Sequence, residues 1–225
     1  MSSFRVAGIS FDHMHMGDLL RMVHEHPEAE IAAIFDPDRD KMQSAIGTFG
    51  IPEEKVFTDF DTCMSAGPYD MAILCAATAD HAEFTEKISQ HGLHVFVEKP
   101  FAASVADARR MIAAMKDTGN QLVINWPLRW VESHVTAKRL IDEGMIGDLI
   151  EIHFYDGNRG PLFHLADKIE VSPEEVERQK PDSWWYKKAS GGGSLLDYLG
   201  YGATLGTWYM DGEAPIEVTC TVDKT

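Results

Sequence analysis

The chain has 225 residues, 44% of them hydrophobic, and 20 Lys and Arg against 36 Asp and Glu give a formal net charge of −16. That length supports one large or two small domains with a core. The acidity argues against nucleic acid and anionic membrane surfaces as partners, and no apolar run approaches the ~20 residues of a membrane span.

Three cysteines, Cys63, Cys75 and Cys220, are far apart with no CxxC, which fits reduced thiols in a cytoplasmic protein better than disulfides or zinc. Residues 1–5 enter a strand pattern directly, without signal-peptide architecture. Residues 4–10 read as a first strand, 13–26 as the helix after it, and 29–35 as a second strand ending in Asp36-Pro37-Asp38. A helical stretch at 38–49, a brief strand at 55–57 and a short helix at 59–65 follow. Residues 70–76 form an apolar strand, and 80–91 a helix closed by Gly92. The buried strand 95–97 runs into Glu98-Lys99-Pro100; a helix at 104–118 has Ser104 as N-cap and Gly119 as its stop, and 121–125 is a further strand. Strands alternating with helices predict an α/β fold with a doubly wound parallel sheet covered on both faces.

After about Trp126 the rhythm changes, so the domain boundary is expected there, with 1–125 as a nucleotide-binding Rossmann domain and 126–225 as a second, α+β domain. Residues 131–143 form an amphipathic helix stopped by Gly144. Residues 147–155 alternate as a strand with one wet face does. Residues 156–190 read as a long loop with one helical turn near Ser172-Pro173-Glu174-Glu175, of the kind that is usually functional. A helix at 194–210 and a strand at 216–222 complete the pattern.

The turn after the first strand is where a Rossmann domain keeps its G-x-G-x-x-G. Here it reads Gly8-Ile9-Ser10-Phe11-Asp12-His13, with Ser10 at the second glycine position. Ser can still present its N–H and hydroxyl to a phosphate, though less closely. Asp36, at the end of strand two, is where an acid meets the adenosine ribose and repels a 2′-phosphate, favouring NAD while Arg39 keeps NADP open. A turn-forming Asp before Pro37 explains it equally well. His13-Met14-His15 and His24-Glu25-His26 are not expected to bind a metal, because i and i+2 face different sides of a helix.

Lys99 is delivered by a rigid strand to the carboxyl end of the sheet, where open α/β sheets bind ligands; a solvated Glu-Lys pair ending a strand is the plainer alternative. Gly191-Gly192-Gly193 lets the chain enter a helix tightly against another surface. Asp197 and Tyr201 then lie at i and i+4 on one helix face and can hold an alcohol between them. A neighbouring lysine would lower the Tyr pKa from ~10. Gly202 and Gly206 suggest close packing of the helix flank. The plainer reading is a core helix with a surface Asp.

Glu98-Lys99-Pro100 resembles the Glu-Lys-Pro motif of the Gfo/Idh/MocA oxidoreductases. Ala76-Ala77-Thr78-Ala79-Asp80-His81 is similar to that family's Thr-Pro-Asn-x-x-His. Residues 141–148 resemble its turn into the second domain. Gly191 through Tyr201 resembles its glycine-rich helix, with Tyr in the His place. The resemblance covers essentially the whole chain. It implies a Rossmann domain followed by a mainly antiparallel open sheet, incomplete here, and an NAD(P)-dependent oxidoreductase acting on a sugar, cyclitol or related polyol. It implies catalytic roles for Lys99, Asp197 and Tyr201, and cofactor contacts at Gly8, Ser10, Asp12, Asp36, Ala76, Thr78, His81, Glu98, Lys99 and Arg129. Substrate contacts would fall on Lys99, Arg159, Trp184, Asp197 and Tyr201, and Lys99–Pro100 is expected to be cis. The chain stops one strand past the catalytic helix, as a fragment does, or as a compact variant that covers its open sheet by forming a homo-oligomer. The competing reading is a non-catalytic nucleotide- or sugar-binding regulatory protein on the same fold.

Overall fold

The computed structural model describes residues 3–157, 160–163 and 171–222. They fall into two compact units, Met1–Asn125 with Asn158–Asp197, and Trp126–Gly157 with Tyr198–Thr225. Each unit is described by itself.

The first unit is built on a six-stranded sheet of β1 (Phe4–Ile9), β2 (Ala29–Phe35), β3 (Val56–Phe57), β4 (Met71–Leu74), β5 (His94–Glu98) and β6 (Leu122–Asn125). All pairs are parallel, in the order β3-β2-β1-β4-β5-β6. The order reverses between β1 and β4, and such a switch point opens a crevice beyond the strands' carboxyl ends. Helices α1 (His15–Glu25), α2 (Gln43–Phe49), α3 (Phe60–Ser65), α4 (His81–Ser89) and α5 (Val105–Lys116) connect the strands.

Side chains alternate across the strands and so feed two cores. Ala7, Ile9, Leu74, Val95 and Val97 face Ile88 of α4 and Met111 and Met115 of α5. Val6, Ile31, Ile34 and Ile73 face Met16, Leu19, Leu20 and Val23 of α1. Gly8 belongs to this packing: a Cβ there would lie 3.2 Å from Met16 Sδ and 3.3 Å from Leu20 Cδ2. Local signals act as expected. The Ser104 hydroxyl accepts the Asp107 amide at 3.1 Å, and Gly119 leaves α5's end at φ +74°.

The second unit contains α6 (Glu132–Asp142), with Gly144 beyond it at φ +73°, and most of α8 (Ser194–Tyr209); α7 (Pro173–Gln179), capped by Ser172, lies in the first unit. Gly202 packs against Phe154, where a Cβ would come within 2.7 Å, whereas Gly206 has no such neighbour within 4 Å. The expected strands at 147–155 and 216–222 are not formed among the described residues. Ladder hydrogen bonds are what make alternation into a strand, and neither segment has a partner here. Ile150 and Tyr155 are 89% and 87% exposed.

Candidate active site

The chemistry gathers at the carboxyl ends of β1, β4 and β5. Ser10 follows β1 at φ +63°, in the left-handed region, so it takes the glycine's backbone conformation while keeping a Cβ. Its N–H donates to Phe35 O at 2.8 Å, and its hydroxyl to Asp12 at 3.1 Å. Asp12 also accepts from the Ala77 amide at 3.1 Å and from Lys41 Nζ at 2.6 Å. Burial pulls the Lys41 ammonium down, but Asp12's hydrogen bond and charge, with Asp36 and Asp38, outweigh it and raise its pKa.

Asp36 is fully buried, and both its oxygens are engaged: Phe11 N–H donates at 2.7 Å and Asp38 N–H at 2.8 Å. Burial raises its pKa, against the two amides and Lys41, with Asp12 adding to the rise. Asp36 therefore ties the β1–α1 turn to the end of β2. The ribose role and the turn-forming role were both open on sequence; the contacts seen are those of the turn.

On the other side of the switch point the Thr78 hydroxyl is buried with no hydrogen-bond partner among the described residues. His81 sits beneath it, its Nε2 3.0 Å from Ala76 O and its Nδ1 3.2 Å from Phe101 O. Burial lowers the His81 pKa, and the two carbonyls pulling upward do not overcome it. Gly191, at φ +73°, packs here so closely that a Cβ would stand 2.8 Å from the Thr78 Cβ. A Cβ on Gly192 would stand 2.4 Å from the carbonyl oxygens of Trp184 and Trp185. The glycine run thus performs the close approach that its sequence predicts.

That approach brings Asp197, in the first turn of α8, to Lys99. The two form a buried ion pair, 98 positions apart in sequence, with Lys99 5% and Asp197 7% exposed. The Lys99–Pro100 bond is cis. Glu98, fully buried, accepts from Asn125 Nδ2 at 2.7 Å, while its other oxygen lies 2.9 Å from His15 Nδ1. His13 is buried alongside, and burial, then the charges of His15, Lys99 and His81, hold its pKa well below the usual histidine value.

The remaining expected residues lie elsewhere or do something further. Trp184 stacks on Trp185 with centroids 4.9 Å apart, and its Nε1–H donates to Asp12 O at 2.9 Å. Tyr201 belongs to the second unit, edge-on to Trp126 with centroids 5.6 Å apart. Arg129, in the same unit, lies over the Trp208 ring at 3.3 Å. Arg159 lies outside the described residues. Sequence reasoning missed Lys41 and Asn125, whose partners are fixed only by the fold. It also missed the convergence of His13, His15 and Glu98, since it treated residues 13–26 as one helix; α1 begins at His15.

A dinucleotide fits this cradle in three respects: the sheet reversal, the left-handed turn at Ser10, and the unpartnered buried hydroxyl of Thr78. The carboxylate of Asp12 inside the turn is unusual for a phosphate site, and Lys41 partly offsets it.

The parallel sheet and its order define a Rossmann-type α/β protein. The chain belongs to the GFO/IDH/MocA oxidoreductase family, whose NAD-binding Rossmann domain matches residues 6–126 and whose C-terminal domain matches residues 134–225. It is 31% identical over 184 residues to an uncharacterized oxidoreductase of Streptococcus pneumoniae, covering 81% of this chain and 44% of that one. It is 32% identical over 119 residues to D-apiose dehydrogenase of Paraburkholderia graminis, covering 53% of this chain and 31% of that one. In fold it is similar to aldose-aldose oxidoreductase of Caulobacter crescentus, solved with glycerol, at TM-score 0.70 and 24% identity, covering 93% of this chain and 58% of that one. The chain thus spans less than half the length of these two curated relatives. No described helix is long and apolar enough to cross a membrane.

Proposed function

We propose that this chain supplies the cofactor site and catalytic groups of an NAD-dependent oxidoreductase that interconverts an alcohol and a carbonyl on a sugar, cyclitol or related polyol. The observation that carries this reading is the buried Lys99–Asp197 pair at the carboxyl end of β5. A buried lysine held by a carboxylate is a preorganised cation for an oxygen that gains negative charge as its carbon loses hydride.

Ser10, Thr78 and Lys41 line the cofactor cradle, and the negative charge of Asp36 near the end of β2 favours NAD over NADP. A nicotinamide cofactor held by these residues would supply the hydride acceptor or donor. In the oxidative direction the carbinol C–H bond breaks, its electron pair leaving with the hydrogen. Lys99 donates a hydrogen bond to the reacting oxygen, and Asp197 orients both Lys99 and the substrate. Tyr201, one turn further along α8, takes the hydroxyl proton as the C=O bond forms, and returns it in the reductive direction. Trp184 offers a ring face for a sugar, and Arg159 and Arg129 complete the proposed contacts to substrate and cofactor.

The relative named D-apiose dehydrogenase supports a sugar as substrate class. Residues 1–125 are assigned to the cofactor and 126–225 to the substrate, in a cytoplasmic homo-oligomer. The reduced, buried Cys63 and Cys75 support the compartment, and the exposed Ile146, Ile150 and Val218 support the self-association. The Asp12 carboxylate in the turn favours a second reading, a non-catalytic nucleotide- or sugar-binding protein. A panel of sugars and polyols assayed for NADH formation decides between them. Turnover that Tyr201→Phe abolishes supports the enzyme; nucleotide binding without turnover on any member supports the second reading.

A further inference from the structure

His13 lies in the turn before α1 and His15 opens that helix, so the rule that sends i and i+2 to different helix faces does not apply to them. Their ring centroids are 4.4 Å apart. Glu98 projects from the end of β5 between them, with Oε1 2.9 Å from His15 Nδ1 and 3.9 Å from His13 Nε2. One donor atom from each residue falls within 4.8 Å of the other two. Ligand atoms bound to one ion at about 2.0–2.2 Å stand roughly 3.3 Å apart in a tetrahedron. Side-chain shifts of about an ångström therefore close this set around an ion.

We propose that His13, His15 and Glu98 form a binding site for a divalent first-row transition metal ion, with one coordination position left open for an oxygen ligand. The donor set argues for the class of ion. Two imidazole nitrogens and one carboxylate suit Zn²⁺, Co²⁺, Ni²⁺ or Fe²⁺, whereas Mg²⁺ and Ca²⁺ require mostly oxygen. Three protein ligands are the complement of a site that keeps a fourth position for water or a substrate oxygen.

The surroundings support it. Asn125 donates to the Glu98 oxygen that faces away from the rings, as the outer partners of metal-bound carboxylates do. Glu98 has no exposure to water, and a carboxyl group buried that deeply needs partners on both oxygens, which Asn125 and His15 supply. The Trp185 ring stands edge-on to His13 with centroids 5.2 Å apart, and Trp184 lies at 6.1 Å, so two indoles wall one side. The His15 side chain is 29% exposed and marks the way in. One contact must give. The His15 amide donates to His13 Nδ1 at 3.2 Å, and metal at Nε2 moves the ring proton to Nδ1 and opens that bond. The bond is at the long end of the normal range, so its loss is a modest cost.

This inference goes beyond the oxidoreductase reading and stands or falls without it. The test is a titration of the full, untagged chain, stripped with chelator, against Co²⁺ with no nucleotide present. The expected result is the visible d–d absorption of low-coordinate Co²⁺, saturating at one equivalent and bleached by Zn²⁺. His15→Ala and Glu98→Gln each abolish the band, Asn125→Ala weakens binding about 10–100-fold, and His24→Ala leaves it intact. Because Glu98 is buried, its variant can fail to fold; the partly exposed His15 then decides. Absence of a band in the parent chain, or a band that survives His15→Ala, overturns the proposal. Nucleotide binding is measured separately on the same preparation, so failure of the metal site and failure of the redox reading remain distinct.

Discussion

The two units use similar sequence patterns to different effect. In the first, each strand finds its ladder partners within 125 residues, and two layers of helices seal both faces of the sheet. In the second, residues 147–155 alternate as cleanly as any strand, yet Ile150 stays 89% exposed and no ladder forms among the described residues. Alternation sets which face a strand would bury; it does not supply the neighbour that makes burial worthwhile.

The sharpest way to test that contrast is at the pair that the glycine run delivers. Removing one member of a buried ion pair leaves an uncompensated charge and costs about 3–5 kcal/mol. Lys99→Ala and Asp197→Ala should each lose that much in urea unfolding. A Lys99→Met, Asp197→Leu double variant should recover most of it while turnover stays at least about 10²-fold down. Stability unchanged in the single variants would mean the pair is solvated.

The core contrast predicts a slightly smaller difference. Leu20, fully buried under the sheet, should cost about 2–5 kcal/mol as Leu20→Ala. Ile150→Ala in the second unit should stay within about 0.5 kcal/mol. Equal losses would show that 147–155 is packed in solution.

At Gly191 the left-handed backbone and the Thr78 contact act together. Gly191→Ala should destabilise by about 1–3 kcal/mol in the same assay, whereas Gly206→Ala, with open space and helical backbone, should be neutral or stabilising.

The smallest effect is a slope with pH. His81 is buried with a lowered pKa, so between that value and the unfolded value of about 6.5 the unfolded chain binds more protons. Stability should therefore rise with pH across that window, be fully present above it, and fall on acidification. Melting curves across it should flatten for His81→Gln. A slope of opposite sign would mean that the carbonyls of Ala76 and Phe101 hold the ring protonated.

Much of the first unit is legible in the sequence because its signals are local. Ser104 caps α5, Gly119 and Gly144 follow helix ends, and the apolar run Val95 to Val97 forms a strand in which Val95 and Val97 are buried while Phe96, expected to be as deep, is only partly so. Lys99 and Asp197 were found through motif positions, and the fold supplies the contact between them. The meeting of Trp184 with Asp12, or of Asn125 with Glu98, depends on which loops return to the switch point, and no periodicity encodes that. His13 was misjudged by two residues of helix boundary, enough to hide a side-chain cluster.

The central claim, that the first unit is a working dinucleotide site despite Ser10 and Asp12, is tested most directly by titrating NAD and NADP separately into the full chain and following heat of binding and thermal unfolding. The account predicts saturable NAD binding that raises the melting temperature, with weaker binding of NADP. No response to either nucleotide at millimolar concentration would contradict it, and would show that the Asp12 carboxylate closes the cradle to phosphate.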